Sequence, residues 1–283
     1  MNKPPSSSHQ KPTLSIIKIG GNVIDNTEKL ETFLTAFCGL PGFKILVHGG
    51  GKMATKLAQD IGLEAKMVNG RRVTDAEMLK IVTMVYAGLI NKNIVAQLQA
   101  QQCNAIGLSG ADGNLISAKK RPIQHLKNTE TGIEENIDFG FVGDLDAQSV
   151  HTKNLSVLLK SSFIPIFSAI THNGEGQLLN TNADTVASAL AVALSQNYHT
   201  SLIYCFEKKG VLRNVEDEQS VITEINPTIF ETLQAQNIIH SGMLPKLHNA
   251  FEAINNGVKQ VFIGSADELP LLKTQKFGTR ITT

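Results

Sequence analysis

Two short runs, Thr13 to Ile19 and Lys44 to Val47, are rich in β-branched and aliphatic residues and both end at glycine clusters. Continuous apolar runs of that length, bounded by turn residues, predict strands buried on both faces. Between them, Asp25 to Ala36 carries Leu30, Phe33 and Leu34, with Phe37 just beyond, at helical spacing behind an Asp/Asn start. Strand, glycine loop and helix therefore occur twice in succession, the alternation of an α/β layered sheet with parallel strands. Thr74-Asp75-Ala76-Glu77 reads as a capping box, and a proline-free helical pattern follows to about Gln101. Its apolar residues (Leu79, Val82, Val85, Tyr86, Leu89, Ile90, Ile94, Val95 and Leu98) cover more than one narrow stripe. Such a helix is either packed on both sides within one subunit or paired with a second copy. Residues 122 to 145 combine Pro122, Gly132, Gly140 and Gly143 with alternating Phe139 and Phe141, the pattern of a β-hairpin excursion and a candidate lid. Ala183 to Ser195 is small and apolar almost all round, a fully buried helix; Leu202 to Phe206 and Gln260 to Ile263 are further buried strands.

The polar stretch Ser195 to Ser201 divides the chain into an N-terminal lobe, 12–195, and a C-terminal lobe, 196–283, behind a Pro/Ser-rich tail, 1–11, expected to be disordered. At 283 residues and 42% hydrophobic content the chain can bury a sizeable core. Lys and Arg total 26 against 25 Asp and Glu, a net charge of +1, which supplies no footprint for nucleic acid or an anionic membrane. Cys38, Cys103 and Cys205 are an odd number, far apart and without a C-x-x-C pair, which argues against a disulfide framework and a zinc site and for a reducing compartment. The N-terminus has no apolar stretch for a signal peptide, and no run approaches 18 uninterrupted apolar residues, so the expectation is a cytoplasmic protein.

The chemistry gathers at glycines. No G-x-x-x-x-G-K-[ST] occurs, and no G-x-G-x-x-G follows a strand, so neither common nucleotide fingerprint is present. Instead Lys18-Ile19-Gly20-Gly21-Asn22 and His48-Gly49-Gly50-Gly51 each close a strand and open a helix. Bare backbone N–H groups at a helix N-terminus suit an anion. Gly242-Met243-Leu244-Pro245-Lys246 is a third loop-to-helix entry, with Pro245 near the first helical position. Its lysine sits in the first turn, where a cation opposes the helix dipole and calls for a compensating anion. Taken singly, Lys18 is an ordinary strand-end lysine, Asp184 an ordinary helix cap and Arg72 an ordinary surface cation.

Taken together, these blocks resemble the amino-acid kinase family. Lys18 to Gly21, Val47 to Gly51, Asn69 to Asp75, Gly107 to Gly113, Asn180 to Asp184, Gly242 to Lys246 and Gly278 to Ile281 match it in order over nearly the whole chain. The resemblance implies an open, mostly parallel sheet sandwiched between helical layers, of the carbamate kinase-like kind, with two lobes. It is strongest to the branch that uses ATP to phosphorylate the side-chain carboxylate of N-acetyl-L-glutamate in arginine biosynthesis. The N-terminal lobe would then hold the N-acyl-glutamate and the C-terminal lobe ATP, in a homodimer. Lys18 and Lys246 would flank the transferring phosphoryl group with Asp184 between them, and N–H groups near Gly20, Gly21 and Gly50 would receive its oxygens. Gly50, Gly51, Arg72, Asn180 and Asn182 would bind the acyl-glutamate, Arg72 through its α-carboxylate. Mg2+ would ride on the ATP phosphates without a protein ligand. Where relatives place an aspartate after the strand entering the nucleotide lobe, this chain has Glu207, followed by Lys208, Lys209 and Gly210, the candidate nucleotide contacts. N-succinyl-L-glutamate as the acceptor, and a nucleotide-binding sensor without turnover, are the alternatives. A sensor would be expected to lack one of Lys18, Asp184 or Lys246, and all three are present.

Overall fold

The computed structural model describes residues 11–127, 132–239 and 243–283; the expected tail, apart from Lys11, and Gly242 lie outside them. One eight-stranded sheet organises the chain, built from β1 (Thr13–Ile19), β2 (Phe43–His48), β3 (Ala105–Leu108), β4 (Ile164–Ser168), β5 (His199–Phe206), β6 (Glu224–Ile225), β7 (Gln260–Ser265) and β8 (Thr279–Ile281). The spatial order is β6-β8-β7-β5-β1-β2-β4-β3, and every pair is parallel except β7 with β8. Central β1 lies between β2 and β5, so strands from both sides of the Ser195 to Ser201 stretch share one continuous sheet. Around it lie α1 (Gly21–Ile24), α2 (Thr27–Cys38), α3 (Gly51–Asp60), α4 (Ala76–Ala100), α5 (Thr152–Lys160), α6 (Ala183–Leu194), α7 (Pro227–Ala235) and α8 (Leu244–Asn255).

Strand alternation sorts the core into two layers. Ile17 and Ile19 of β1 pack with Leu30, Phe33, Leu34 and Phe37 of α2 and with Val82, Ile94 and Leu98 of α4. Leu14 and Ile16 face the opposite layer, with Leu155 and Leu159 of α5, Val186, Leu190 and Leu194 of α6 and Leu247 of α8. Each such fully buried side chain contributes roughly 1.5–3 kcal/mol. Lys18 has the parity of Leu14 and Ile16, so it leaves the sheet on the α6 side; His48 has the parity of Leu46 and meets α4.

Local chemistry sets the helix ends. Asn26 Oδ1 accepts from Lys29 N–H at 2.9 Å, so α2 starts two residues after Asp25. The expected capping box moves by one residue: Asp75 is the cap of α4, accepting from Met78 N–H at 2.8 Å. Thr74 is instead held extended, donating its N–H to the Phe139 carbonyl at 2.9 Å and accepting from Phe141 N–H at 2.7 Å. Within α4, Thr83–Ile90 winds as a π-helix, which turns successive residues onto different faces and accounts for the wide apolar distribution. By length and composition α4 is long and apolar enough to cross a membrane, but 44% of its apolar window is buried inside this molecule, where it is a core helix. Met84 and Leu89 remain exposed on it.

Gln124–Lys127 and Glu134–Ile137 pair antiparallel, the hairpin expected between residues 122 and 145. Ile137, Phe139 and Val142 pack with Val68 at its root. The cysteine expectation is corrected: Cys38, at the end of α2, and Cys103, after α4, are joined as a disulfide with Cα atoms 6.0 Å apart, and Cys205 alone is free. Cys38 ends one helix and Cys103 follows another of the same layer, a proximity that a separation of 65 residues conceals.

Candidate active site

The C-terminal ends of β1, β5 and β7 open into a cavity of about 310 Å³ lined by Gly20, Gly21, Asn22, Val23, Cys205, Phe206, Glu207, Lys208, Gly210, Met243, Lys246 and Ile263. Ligands in open α/β sheets bind at this edge, where the chain switches from one side of the starting strand to the other. Gly20 caps α1. A Cβ there would meet only Lys18 Nζ, at 3.7 Å, so packing does not demand the glycine and the bare backbone is free for a ligand's approach. Gly50, which caps α3, is different: a Cβ would collide with Ile90 Cδ1 and lie 2.8 Å from Tyr86 Cδ1. The π-wound part of α4 presses on this loop, and Gly50 is required by packing whatever it binds. Lys52 bridges the two glycine loops, its Nζ donating to Asn22 Oδ1 at 2.7 Å.

Lys18 Nζ lies 2.8 Å from Asp184 Oδ1. Strand parity directs the lysine toward α6; Asn182 holds the other partner. Asn182 Oδ1 caps α6 by accepting from the N–H groups of Asp184 (2.8 Å) and Thr185 (3.2 Å), leaving the Asp184 carboxylate in the first turn, where the helix N-terminus favours negative charge. Asn182, expected beside the substrate, thus has its side-chain oxygen committed to the cap. Lys246, in the first turn of α8, reaches the same place. Burial pushes its ammonium below the ordinary lysine range; Asp184 opposes that, and Lys18 adds to it.

The glycine-rich loop leads on to the arginine. Arg72 Nη2 donates to the Gly51 carbonyl at 2.9 Å and to Thr55 Oγ1 at 2.7 Å, and Nη1 faces Met78 Sδ at 3.7 Å. A methyl on Gly51 would touch both Tyr86 Oη (3.8 Å) and Arg72 Nη2 (3.9 Å), which sets the phenol beside the guanidinium. Burial raises the Tyr86 phenol while Arg72 opposes the rise. Among the described residues Arg72 has no carboxylate partner, and its Nη2 donors are held by the Gly51 carbonyl and Thr55. Two residues on, Thr74 accepts from Asn180 Nδ2 at 3.0 Å, and a methyl on Gly49 would lie 3.8 Å from Ala183 Cβ, next to Asp184 in the chain.

His48 does no acid–base work in this arrangement. Its Nδ1 bonds the Gly49 carbonyl at 2.9 Å and its Nε2 meets Asn91 Nδ2 at 3.0 Å, which makes Nδ1 the protonated nitrogen; burial holds its pKa down to about 4. Among the nucleotide candidates, Glu207, Lys208 and Gly210 line the cavity. Lys208 Nζ also lies 3.4 Å from Glu218 Oε1, and Lys209 pairs with Glu268 at 3.6 Å.

Residues 13–265 match the model of the amino acid kinase family. The chain belongs to the amino acid kinase family. Acetylglutamate kinase of Cytophaga hutchinsonii is 54% identical over 270 residues, covering 95% of this chain and 98% of that relative. Among solved structures, smu.665 from Streptococcus mutans UA159 superposes with a TM-score of 0.69 at 27% identity, covering 95% of this chain and 98% of that one. The carbamate kinase of Giardia superposes with a TM-score of 0.66 at 15% identity, over 98% of this chain and 100% of that one, a likeness of fold alone.

Within this amino acid kinase fold Gly20, Gly21 and Lys246 line the cavity, Lys18 and Asp184 pair with one another within reach of Lys246, and Arg72 is tied to Gly51 and Asn180 to Thr74. Sequence reasoning missed Asn22, Lys52, Thr55, Tyr86 and Phe206. Asn22 adjoins a motif glycine and was within reach of inspection. Tyr86 and Phe206 carry no local signal, because each reads as one more apolar residue of a helix or strand.

Proposed function

We propose that this chain transfers the γ-phosphoryl group of ATP to the side-chain carboxylate of N-acetyl-L-glutamate, the acyl-phosphate-forming step of arginine biosynthesis. The observation that carries the reading is the convergence of Lys18 and Lys246 on one carboxylate, Asp184, at the sheet edge where bare glycine loops open helices. The 54% identity to an acetylglutamate kinase supplies the acceptor.

The nucleophile, a carboxylate with an ordinary pKa of about 4.3, is ionised at neutral pH, so no general base is needed. The obstacle is repulsion between two anions as charge spreads over the equatorial oxygens in the transition state. Lys18 and Lys246 supply positive charge there, Asp184 keeps the two ammonium groups facing one another, and N–H groups around Gly20, Gly21 and Gly50 receive the moving oxygens. Arg72 takes the α-carboxylate and Asn180 the amide end, aligning the acceptor for in-line attack. Glu207, Lys208 and Gly210 line the cavity on what would be the nucleotide side. Asp184 is paired with Lys18, and Mg2+ would ride on the triphosphate. When bound, it neutralises phosphate charge. The exposed Met84 and Leu89 on α4 support a homodimer built about that helix, with the N-terminal lobe serving the acyl-glutamate and the C-terminal lobe ATP.

Incubation with Mg-ATP and N-acetyl-L-glutamate in hydroxylamine is expected to yield the hydroxamate of the trapped acyl phosphate. No hydroxamate from N-acetyl-L-glutamate, with ATP binding intact, refutes the reading; product from N-succinyl-L-glutamate alone reassigns the acceptor.

A further inference from the structure

The two ammonium groups of the site share a neighbour besides Asp184. Lys246 Nζ stands 3.9 Å from the centroid of the Phe206 ring, and Lys18 Nζ stands 5.3 Å from the same centroid. Both distances lie within the range of an effective cation–π contact. Phe206 is the last residue of β5 and has the parity of Leu202 and Tyr204, so its ring leaves the sheet on the side of α6 and α8, where both lysines arrive. Tyr204 stacks on it at 6.1 Å with the planes 21° apart, which restrains the ring. The ring also forms part of the cavity wall. Among the described residues the ion pair at these two cations is made by Asp184, and its 2.8 Å contact is with Lys18. Lys246 is therefore left with the aromatic face as its nearest compensating partner.

We propose that Phe206 is a positioning residue of this site, a π platform that seats the ammonium groups of Lys246 and Lys18 side by side against their mutual repulsion, ready for the phosphoryl group. The negative face of the ring takes one side of each ammonium group and leaves the remaining N–H bonds directed into the cavity. An aliphatic residue of similar bulk fills the space but has no quadrupole to offer. A carboxylate in that place would bind the lysines too well, since the phosphate oxygens would have to displace it. The inference rests on the phosphotransferase reading above, which makes these two lysines the groups worth positioning.

The test is a set of replacements at one position, with kcat, KM for each substrate and ATP affinity by calorimetry measured on each. Phe206→Leu is expected to lower kcat about tenfold, the equivalent of one partly desolvated cation–π contact, while KM for N-acetyl-L-glutamate changes less than about twofold. Phe206→Tyr and Phe206→Trp are expected to recover most of that loss. Stepwise fluorination of the Phe206 ring, which drains the π face without changing its shape, is expected to lower kcat in a graded series. Leucine performing like phenylalanine, or leucine, tyrosine and tryptophan all failing alike, overturns the proposal, as does a flat fluorination series. If the unaltered protein makes no acyl phosphate, it is the functional reading that fails. The same variants are then judged on ATP affinity, where a leucine variant that binds as well as the aromatic ones overturns the platform.

Discussion

Lys246 shows how one side chain acquires meaning from its surroundings. A lysine in the first turn of a helix is unfavourable by itself, and here burial and Lys18 weigh further against its charge while Asp184 supports it. On the proposed function such a cation awaits the phosphate it would bind. Lys246→Ala is expected to lower kcat by about a hundredfold or more, with KM for N-acetyl-L-glutamate nearly unchanged; equal losses in both would assign the residue to structure. Tyr86 acts one step back. Its ring packs on Gly50, and its hydroxyl flanks the Arg72 guanidinium that Thr55 and the Gly51 carbonyl also hold. Tyr86→Phe keeps the packing and loses the hydroxyl, so KM for N-acetyl-L-glutamate is expected to rise about three- to tenfold with kcat within about twofold. A matching fall in kcat would place Tyr86 elsewhere in the mechanism.

Among the elements, β2 and α4 are tied together through His48 and Asn91. Asn91 donates from Nδ2 to His48 Nε2 and to the Ile166 carbonyl of β4 at 2.9 Å, so one buried amide links a helix to two strands. The imidazole must be neutral to accept that bond. With a folded pKa near 4 and an ordinary value of 6.5, the unfolded chain takes up this proton first as the pH falls. The stabilisation is complete above pH 6.5 and is lost as pH falls toward 4, amounting to about 3 kcal/mol. In urea titrations His48→Gln should be less stable than the unaltered protein at pH 7, with the gap narrowing by pH 4.5. A gap of constant size would show that the buried imidazole does not titrate in this way. The strands and glycine loops of this layer were legible because a buried parallel strand writes a continuous apolar run and a loop at its end writes glycine. The π winding of Thr83–Ile90 was not, since no residue preference writes it; it falls where Tyr86 and Ile90 pack against Gly50.

Over the whole molecule, Cys38–Cys103 joins the end of α2 to the end of α4. Closing a loop of that separation, 65 residues, stabilises by about 4 kcal/mol on the chain-entropy account. A reductant is expected to lower the urea midpoint, and Cys103→Ser should abolish that sensitivity; a midpoint indifferent to reductant in the unaltered protein would refute the link. The sheet itself shows what a chain order does not say. β1 and β5, far apart in sequence, pair along their whole length from Thr13 with His199 to Ile19 with Cys205, and this brings Lys18 opposite Tyr204 and beside Phe206. By itself the amino-acid sequence determined the layered α/β class, the strand–glycine–helix junctions, and the lysines, arginine and acid at their ends, because these depend on periodicity and backbone freedom over a few neighbouring residues. Only the tertiary structure decided that Phe206 lies under two ammonium groups, that Tyr86 and Thr55 hold Arg72, and that two distant cysteines meet. Those relations depend on strand order and on which face of each element looks inward, and they come into being only when the core closes.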